Sequence, residues 1–577
     1  MISNALNIAA SSLKAQQKSM DVISHNIANA NTEGYSRQTP TQVTALPEKL
    51  DQRVFGRGVE LGNISRIVDP LIDSAQINNT SQHEFFKQLS SGLSSVENVF
   101  GSLQSTGISA ALDDFFLSWQ QLSSNPQDQA QKFNVRNKSE VLATHLSNMH
   151  QQLITAQTST DQTIDQRIGE ANILIDEIAT LTTRIRQMQS GQQGTSAGAN
   201  DLLDQRDQAV RELSMLVPIQ QIDTADGDFL IQTKGGDLLT QDDVSRHLGR
   251  SSTLSANGFR EIVITSTNAP IAGLDQGGSI GGLVSLRDGH LGDYIGTLNE
   301  IAGNLVFGVN QIMASSGGVV RPSTIISGQG ALDPAGLLNA ASQSLTFTNQ
   351  IQTGSFKLHL YDAAGTPVTL GGTTISIDAT TSTMNSVVAD IDAIVGISAT
   401  LDAVGRLVIN AGTNTVGFSD DTSNFLPVYE INNLFHGDAA GGLTISDALK
   451  NNAALLNTGT LNTANSSIEV GDNTAAVAVM GLQNQQISFD GSTSETLHVR
   501  AAVLSTRYGD DFAIADQQRL YRQTEFESLS RQREAMSGVN VDEELIAMIK
   551  FQRAYESAAK VISTTNQMLD SLMGILR

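Results

Sequence analysis

The chain has 577 residues, of which 40% are hydrophobic, and its 59 acidic against 35 basic side chains give a formal net charge of −24. Such a length predicts several domains, and the hydrophobic content excludes wholesale disorder. The acidic charge disfavours nucleic-acid binding, because phosphate backbones are repelled. The sequence contains no cysteine, which excludes disulfides, thiol catalysis and Cys-ligated metals. No apolar stretch reaches the ~18 residues of a membrane span, and no secretory signal peptide is predicted.

The first segment has apolar residues at steps of four and three, which predicts a long helix with a coiled-coil seam. Its seam residues are Leu6, Ala9, Leu13, Met20, Ile23 and Ile27, with Gln16 as the exception. Because Ser and Asn are common here and form helices poorly, we expect weak order in the monomer and order once neighbours cover the seam. The same periodicity is expected if the two terminal helices pair with each other within one chain, as an intramolecular hairpin in an ordinary multidomain protein.

Further helical patterns follow later in the chain. Leu142 to Leu153 and Ile164 to Ile185 each repeat apolar residues on one face. A break from Ser190 to Gly198 follows, and a further helix is predicted to begin near Asn200.

The middle of the chain changes to strand patterns. Phe229–Thr233 and Glu261–Thr265 are predicted strands, with turn signals at Asp226-Gly227 and Asn257-Gly258. Apolar residues Phe356, Leu358 and Leu360 alternate with Lys357 and His359, which predicts a half-buried strand. Further strands are expected at Thr374–Asp378 and Arg406–Asn410, with a helix around Met384–Ile394 between them.

The C-terminal part returns to helix from Ile514 to Met536, and a second seam ends the chain. Asn540 is the candidate N-cap of this last helix, with Glu543 three residues on, and Gly538 ends the helix before it. The seam residues are Leu545, Met548, Tyr555, Ile562, Leu569 and Met573, with Gln552 and Asn566 as exceptions.

These patterns predict an α+β multidomain protein. The discontinuous terminal helices form a coiled coil, a helical-bundle domain follows, and β-rich modules are inserted into it. The predicted divisions are 1–36 and 539–577 for the inner coiled coil, 37–214 and 449–538 for the helical domain, 215–328 for a mixed module and 329–448 for a β-rich outer module.

The sequence predicts no cluster of catalytic or metal-binding residues. Gly277-Gly278-Ser279-Ile280-Gly281 matches a nucleophile-elbow pattern, but some ten residues separate it from the preceding strand. His145 and His150 are five apart and face different sides of a helix, so they form a poor metal pair. Asp226, Asp228 and the pair Asp420-Asp421 lack the spacing of a calcium loop. We therefore expect no enzyme activity and no cofactor.

Two motifs flank the terminal seams. The first runs from His25 to Gln38, with the candidate hinge residues Asn26, Asn29, Asn31, Thr32, Gly34, Tyr35 and Arg37. The second runs from Ser537 to Ile562, with the candidate positions Gly538, Asn540, Gln552, Arg553 and Ala554. Together they resemble the terminal motifs of the flagellar rod, hook and hook-associated axial proteins. Phe115–Pro126, Ala199–Asp207 and the insert at Ser355–Asn410 resemble the hook-associated members.

The resemblance implies a structural subunit at the junction between hook and filament, assembled by helical stacking with its inner helices lining the export channel. It also implies unfolded export through the flagellar type III apparatus to the cell exterior. The partners implied are the hook protein, a second hook-associated protein on the filament side, further copies of this chain, and an export chaperone at the C-terminal helix.

Two alternative functions are also compatible with the sequence. A hook or distal-rod subunit shares both end motifs. A type III secreted effector or translocator would also have coiled-coil ends, but that reading leaves the hinge motif unexplained.

Overall fold

The computed structural model describes residues 2–50, 53–100, 107–190, 197–223, 229–345, 347–462, 464–489 and 494–575. The helices in chain order are α1 (Ile2–Ala28), α2 (Pro70–Ser95), α3 (Glu97–Phe100), α4 (Ile108–Ser124), α5 (Gln129–Ser190), α6 (Ala197–Leu216), α7 (Gly278–Val284), α8 (Leu291–Ala314), α9 (Met384–Asp392), α10 (Phe425–Val428), α11 (Asp447–Asn451), α12 (Thr474–Gly481), α13 (Leu497–Ser537) and α14 (Val541–Ile575).

The strands are short and lie between these helices. They are β1 (Gln38–Thr44), β2 (Glu48–Leu50), β3 (Arg53–Phe55), β4 (Val59–Arg66), β5 (Ile219–Asp223), β6 (Phe229–Thr233), β7 (Leu238–Gln241), β8 (Val244–Ser245), β9 (Leu248–Leu254), β10 (Arg260–Ile264), β11 (Ala269–Pro270), β12 (Ser316–Gly317), β13 (Thr324–Gly330), β14 (Gly354–Tyr361), β15 (Thr373–Ile377), β16 (Ser398–Leu401), β17 (Arg406–Asn410), β18 (Thr415–Ser419), β19 (Phe435–His436), β20 (Thr444–Ile445), β21 (Gly459–Thr460), β22 (Ile487–Ser488) and β23 (Ser494–Glu495). This mixture confirms the predicted α+β multidomain class.

The chain divides into two compact units. The terminal unit comprises Met1–Gly92, Ser159–Arg287 and Ala513–Arg577, and the middle unit comprises Leu93–Thr158 and Asp288–Phe512. Both chain ends belong to the terminal unit, in which α1 packs along α14 and against the β1–β4 hairpin. The pairing of the first helix with the last, expected from their seams, is present within one chain.

The segment between Arg37 and Ile67 differs from the helical prediction for 37–214. Here β1 pairs antiparallel with β4, from Gln38 opposite Arg66 to Thr44 opposite Val59, and β2 pairs with β3. The register shifts between Pro40 and Gln42, where proline has no amide hydrogen for the ladder. The Thr and Val residues of β1 favour strand, but its polar sequence carries no apolar period that would reveal it.

The core of the terminal unit lies between α5, α6 and two small sheets. Ile164, Ile175, Val210, Leu213 and Ile231 are among its fully buried members. The predicted strands here are present as β6 and β10, and the predicted Asn257-Gly258 turn has Gly258 at φ +83°. The Asp226-Gly227 turn lies outside the described residues. The two helical patterns predicted from Leu142 and from Ile164 belong to one 62-residue helix, α5.

The middle unit contains the predicted β-rich insert. Two three-stranded sheets, β15-β14-β18 and β13-β17-β16, enclose a core with α9, whose N-cap Thr383 forms a capping box with Ser386. β14 is not the half-buried strand predicted from its alternation, because its polar residue His359 is also fully buried. The His359 ring nitrogens lie 2.9 Å from the Ser466 hydroxyl and 2.8 Å from the Ser419 hydroxyl. Because both nitrogens are hydrogen-bonded, this polar side chain can be buried.

Candidate functional site

Asn26 lies at the centre of a polar cluster that ties the two ends of the chain together. Its side-chain amide donates to the Gln38 carbonyl at 2.9 Å and to a Glu544 carboxylate oxygen at 3.0 Å. Its Oδ1 accepts from the Tyr35 hydroxyl at 2.8 Å and from the Gln38 amide at 3.0 Å. Asn26 is 1% exposed, so a residue without both donor and acceptor groups would leave buried partners unsatisfied. We call Asn26, Tyr35, Arg37, Gln38 and Glu544 the terminal joint.

Arg37 provides the charge of the terminal joint. Its Nε lies 2.7 Å from Glu544 and its Nη1 lies 3.0 Å from Glu543. The Glu544 side chain is 3% exposed whereas that of Glu543 is 57% exposed, so the first ion pair is shielded from water and the second is screened. The Arg37 amide also donates to the Ser537 carbonyl at the end of α13, at 2.8 Å. One residue thus holds the start of β1 to the turn between α13 and α14.

The turn after α1 is built from the predicted hinge residues. The Thr32 hydroxyl donates to Asn29 Oδ1 at 3.2 Å, and its amide donates to the Asn29 carbonyl at 2.9 Å. Gly34 has φ +80°, a conformation that favours glycine, and its carbonyl accepts from Arg533 at 3.1 Å. Asn31 lies exposed on this turn. The turn ends α1 and redirects the chain into β1.

Helix α6 supplies a second set of partners that the motifs did not indicate. Asp204 accepts from the Ser36 amide at 3.1 Å and from Arg66 at 2.7 Å, and Arg66 also contacts Asp207 at 2.8 Å. Asp201 accepts from the Gln38 side chain at 2.9 Å. Burial raises the pKa of the Tyr35 hydroxyl, and the nearby carboxylates raise it further, so this group stays protonated as a donor. The Asn-Asp-x-x-Asp stretch in α6 was a sequence signal, but nothing local showed what it faces.

The predicted start of the last helix is confirmed. α13 ends at Ser537, and Gly538 follows where an added Cβ would collide with the Glu534 carbonyl oxygen. Asn540 caps α14, because its Oδ1 accepts from the amides of Asp542 at 3.0 Å and Glu543 at 3.4 Å. Further along α14, Gln552 and Arg553 are exposed and Ala554 is half-buried, so these three motif positions lie away from the terminal joint.

The two seams agree unequally with the prediction. On α1, Ala9, Gln16 and Ile23 are buried and Leu6, Leu13, Met20 and Ile27 are half-buried, as the predicted seam requires. On α14 the buried face consists of Glu544, Ala558 and Thr565 with Phe551 half-buried, a heptad line one residue before the predicted one. Met548 and Ile562 are half-buried, whereas Leu545, Tyr555, Leu569 and Met573 are exposed. Glu544 accounts for this shift, since its bond to Asn26 turns its own line toward α1.

An apolar surface remains on α14. Its exposed members are Val541, Leu545, Ile546, Ile549, Tyr555, Val561, Met568, Leu569, Leu572 and Met573. The bond between Asn26 and Glu544 joins the C-terminal end of α1 to the N-terminal end of α14, so the two packed helices are antiparallel. Because Ile2 lies 24 residues before Asn26, the N-terminal end of α1 lies opposite about residue 568 of α14. Met573 lies beyond that point and is 67% exposed. Apolar surfaces of this extent mark sites of protein association.

The motifs set aside on sequence remain without a site. Ser279 is buried inside α7, where its hydroxyl has no hydrogen-bond partner among the described residues. Within the described ranges, no group of three or more His, Cys, Asp or Glu side chains could hold a metal ion. In the same part of the chain no helix is both long enough and apolar enough to cross a membrane.

Paired terminal helices, a polar joint and an exposed apolar surface on the last helix define the class of self-assembling structural subunits. Known proteins specify that class further. Three family models match: the helical domain of the flagellar hook-associated protein FlgK over residues 93–318, the flagellar basal body rod FlgEFG protein C-terminal domain over 531–575, and the flagella basal body rod protein over 6–35. The last two matches overlap the two motifs that supply the terminal joint, and the first of these motifs continues beyond residue 35 to Gln38.

Full-length relatives agree with these matches. The chain is 25% identical to flagellar hook-associated protein 1 of Salmonella typhimurium and 26% identical to that of Escherichia coli, each over 100% of both chains. It is 23% identical to the protein of the same name from Bacillus subtilis, over 98% of this chain and 97% of that one. The chain is therefore similar over its full length to proteins named flagellar hook-associated protein 1.

A solved structure supports the fold. The flagellar hook junction protein FlgK from Burkholderia pseudomallei aligns with a TM-score of 0.52 and 14% identity, covering 81% of this chain and 100% of that one. At this identity the likeness concerns the fold alone.

Proposed function

We propose that this chain is a structural subunit of the bacterial flagellum that forms the junction between hook and filament. The observation that carries the proposal is the terminal joint, where motifs separated by about 500 residues meet through the bond between Asn26 and Glu544. A residue pair so distant in sequence fixes the orientation of α14 on α1, and with it the apolar surface of α14. Its similarity over the full chain to flagellar hook-associated protein 1 supports assembly with further flagellar components.

The finer parts of the proposal concern partners and location. Further copies of the chain cover the apolar surface of α14, with hook protein on one side and the second hook-associated protein on the other. The subunit acts outside the cell and has no catalytic role. Before assembly, an export chaperone covers the same surface at the C-terminal helix. The exposure of Ile546, Met568 and Met573 supports both occupants, because such side chains gain free energy when they leave water.

Immunogold electron microscopy of intact flagella tests the proposal, using antibody raised against residues 329–448. A single narrow band where hook meets filament is the expected result. Label along the whole hook would instead indicate a hook subunit, and free protein in the medium without label on flagella would indicate a secreted effector. A strain lacking the chain serves as the control for antibody specificity.

A further inference from the structure

The middle unit contains a cavity that plays no part in the proposed assembly. It has a volume of about 560 Å³ and lies against β13, β20 and α11. This volume is within the range of sites for small molecules. Its wall includes side chains of both kinds, with Val320, Ile326 and Leu449 beside Arg321, Thr444 and Ser446.

Among the described residues, Arg321 is the charged group of the cavity that has no counter-ion. Three other charged or ionisable lining residues have partners: Arg406 pairs with Asp402 at 2.8 Å, His436 with Glu430 at 2.9 Å, and Asp447 with Lys450 at 3.1 Å. Among the described residues no carboxylate pairs with Arg321, whose guanidinium instead lies 3.6 Å from the centre of the Tyr361 ring. Its Nε is buried without a hydrogen-bond partner there. Burial lowers the pKa of this guanidinium, which reflects the cost of holding an unpaired charge away from water.

Ser446 is a second polar group left open to the cavity. The residue is 6% exposed and stands at the N-cap position of α11, yet its side chain makes no cap hydrogen bond. Thr444 lies two residues earlier on β20 and lines the same wall. Thr444 is exposed, so its hydroxyl is accessible to a ligand. The hydroxyls of Ser446 and Thr444 can each donate and accept a hydrogen bond, which suits a ligand with hydroxyl groups.

β13 adds backbone groups to this wall. It is an outer strand of the β13-β17-β16 sheet, and its residues 324–328 line the cavity. An outer strand has one row of backbone N–H and C=O groups that its sheet does not use. The Gly328 amide is already used, because it donates to the Glu430 carbonyl at 3.1 Å. The other groups of this row can bond to ligand hydroxyls in either direction.

We propose that this cavity binds a small hydroxylated carboxylate, such as an acidic monosaccharide. The carboxylate pairs with Arg321, the sugar hydroxyls bond to Ser446, Thr444 and the backbone of β13, and the carbon face of the ring lies on Val320. Guanidinium is the side chain best suited to a carboxylate, because its planar N–H groups match both oxygens. This inference does not depend on the proposed function, since the cavity lies within the middle unit and the terminal joint lies within the terminal unit.

Isothermal titration calorimetry of the full chain tests the proposal with galacturonate as the probe and galactose as its neutral counterpart. We expect saturable binding of galacturonate and binding of galactose weaker by about tenfold or more. Arg321→Gln should weaken galacturonate binding by a similar factor, whereas Arg531→Gln, an equal change of charge on exposed α13, should leave it unchanged.

A second variant tests the cavity even if Arg321→Gln does not fold. Thr444→Val removes one hydroxyl at nearly constant volume and should weaken galacturonate binding severalfold with an unchanged unfolding midpoint. Absence of saturable galacturonate binding would overturn the proposal. Equal binding of galactose, or full binding by a folded Arg321→Gln protein, would overturn it as well.

Discussion

Asn26 and Glu544 lie 518 residues apart in the sequence, and their side chains are joined by a 3.0 Å hydrogen bond in a site that excludes water. Glu544 receives a second bond from Arg37 at 2.7 Å. A buried carboxylate keeps its charge only when such donors replace the lost water. The packing of the last helix on the first therefore depends on a few polar atoms as well as on apolar contact.

Asn26→Asp should loosen the terminal joint. The change replaces a donor by a second carboxylate beside Glu544, and it leaves the Gln38 carbonyl without its bond. We expect a loss of about 3 kcal/mol in the free energy of unfolding of the terminal unit, by analogy with broken buried ion pairs. Urea unfolding followed by circular dichroism, with limited proteolysis at α14, measures this. The matched control is Asn566→Asp, because Asn566 is exposed on α14. Equal stability of the two variants would refute the role given to Asn26.

Gly34→Ala should destabilise the turn after α1. Its φ of +80° costs about 1–2 kcal/mol for a residue with a Cβ, and the new methyl would lie 3.1 Å from both the Arg211 guanidinium and the Gln208 side-chain oxygen. Gly56→Ala is the control, because nothing lies within 4 Å of its added Cβ and its φ is outside the left-handed region. The difference in unfolding midpoint in urea gives the cost. A Gly34→Ala protein as stable as the control would show that the turn adapts.

The apolar surface of α14 should be needed for assembly and not for folding. Replacing the exposed residues Leu545, Val561 and Leu569 by Asp should leave the unfolding of the middle unit unchanged and abolish incorporation into flagella, because charges cannot be buried against a neighbouring subunit. Electron microscopy of a complemented deletion strain reads out filament formation. Ser563→Asp, at an exposed polar position of α14, should assemble normally. Normal filaments from the triple variant would contradict the assembly model.

Stability of the middle unit should fall below neutral pH. Burial lowers the pKa of His359, so the folded state takes up its proton at lower pH than the unfolded state does. The stabilisation is present above the unfolded pKa of about 6.5 and is lost as pH falls from there toward the folded value, by up to about 2 kcal/mol at pH 5. His359→Gln should reduce the slope of unfolding free energy against pH between 7.5 and 5.

The slope does not vanish in that variant, because burial also lowers the pKa of His145 and His150, which belong to the middle unit. Asn451→Gln, at an exposed position of the middle unit that carries no titratable group, serves as the control and should retain the full slope. An unchanged slope in His359→Gln would show that the serine pair accommodates the protonated ring.

The sequence allowed prediction of the elements with a clear period. β6, β10, β15, β17 and α9 lie where alternation or helical spacing placed them, to within two residues. The hairpin of β1 and β4 was missed because Gln38 to Thr44 carries too few apolar residues for a period. Periodicity also failed on α14, where the adjacent heptad lines that begin at Glu544 and at Leu545 each mix apolar and polar residues. The choice between them depends on the bond between Glu544 and Asn26.

Part of the terminal joint was also predictable from the sequence, because turn and cap residues carry a local signal. The motifs identified Asn26, Tyr35, Arg37 and Asn540 as a group worth attention, since Asn and Gly signal turns and caps. Nothing local indicated that Asp204 on α6 would receive the Ser36 amide, or that Glu544 rather than Glu543 would be buried. Contacts between distant segments leave no trace in a single sequence.

The distance along the chain between Asn26 and Glu544 also has a consequence for the order of folding. Closing a loop of 518 disordered residues costs on the order of 5 kcal/mol in chain entropy. That cost falls if the residues between them have already folded, because compact units bring their ends close together. We therefore expect α1 and α14 to pair in the last step of folding, after the chain between them has become compact. If the chain is exported unfolded, as proposed, it would complete its terminal joint only after its final helix has emerged.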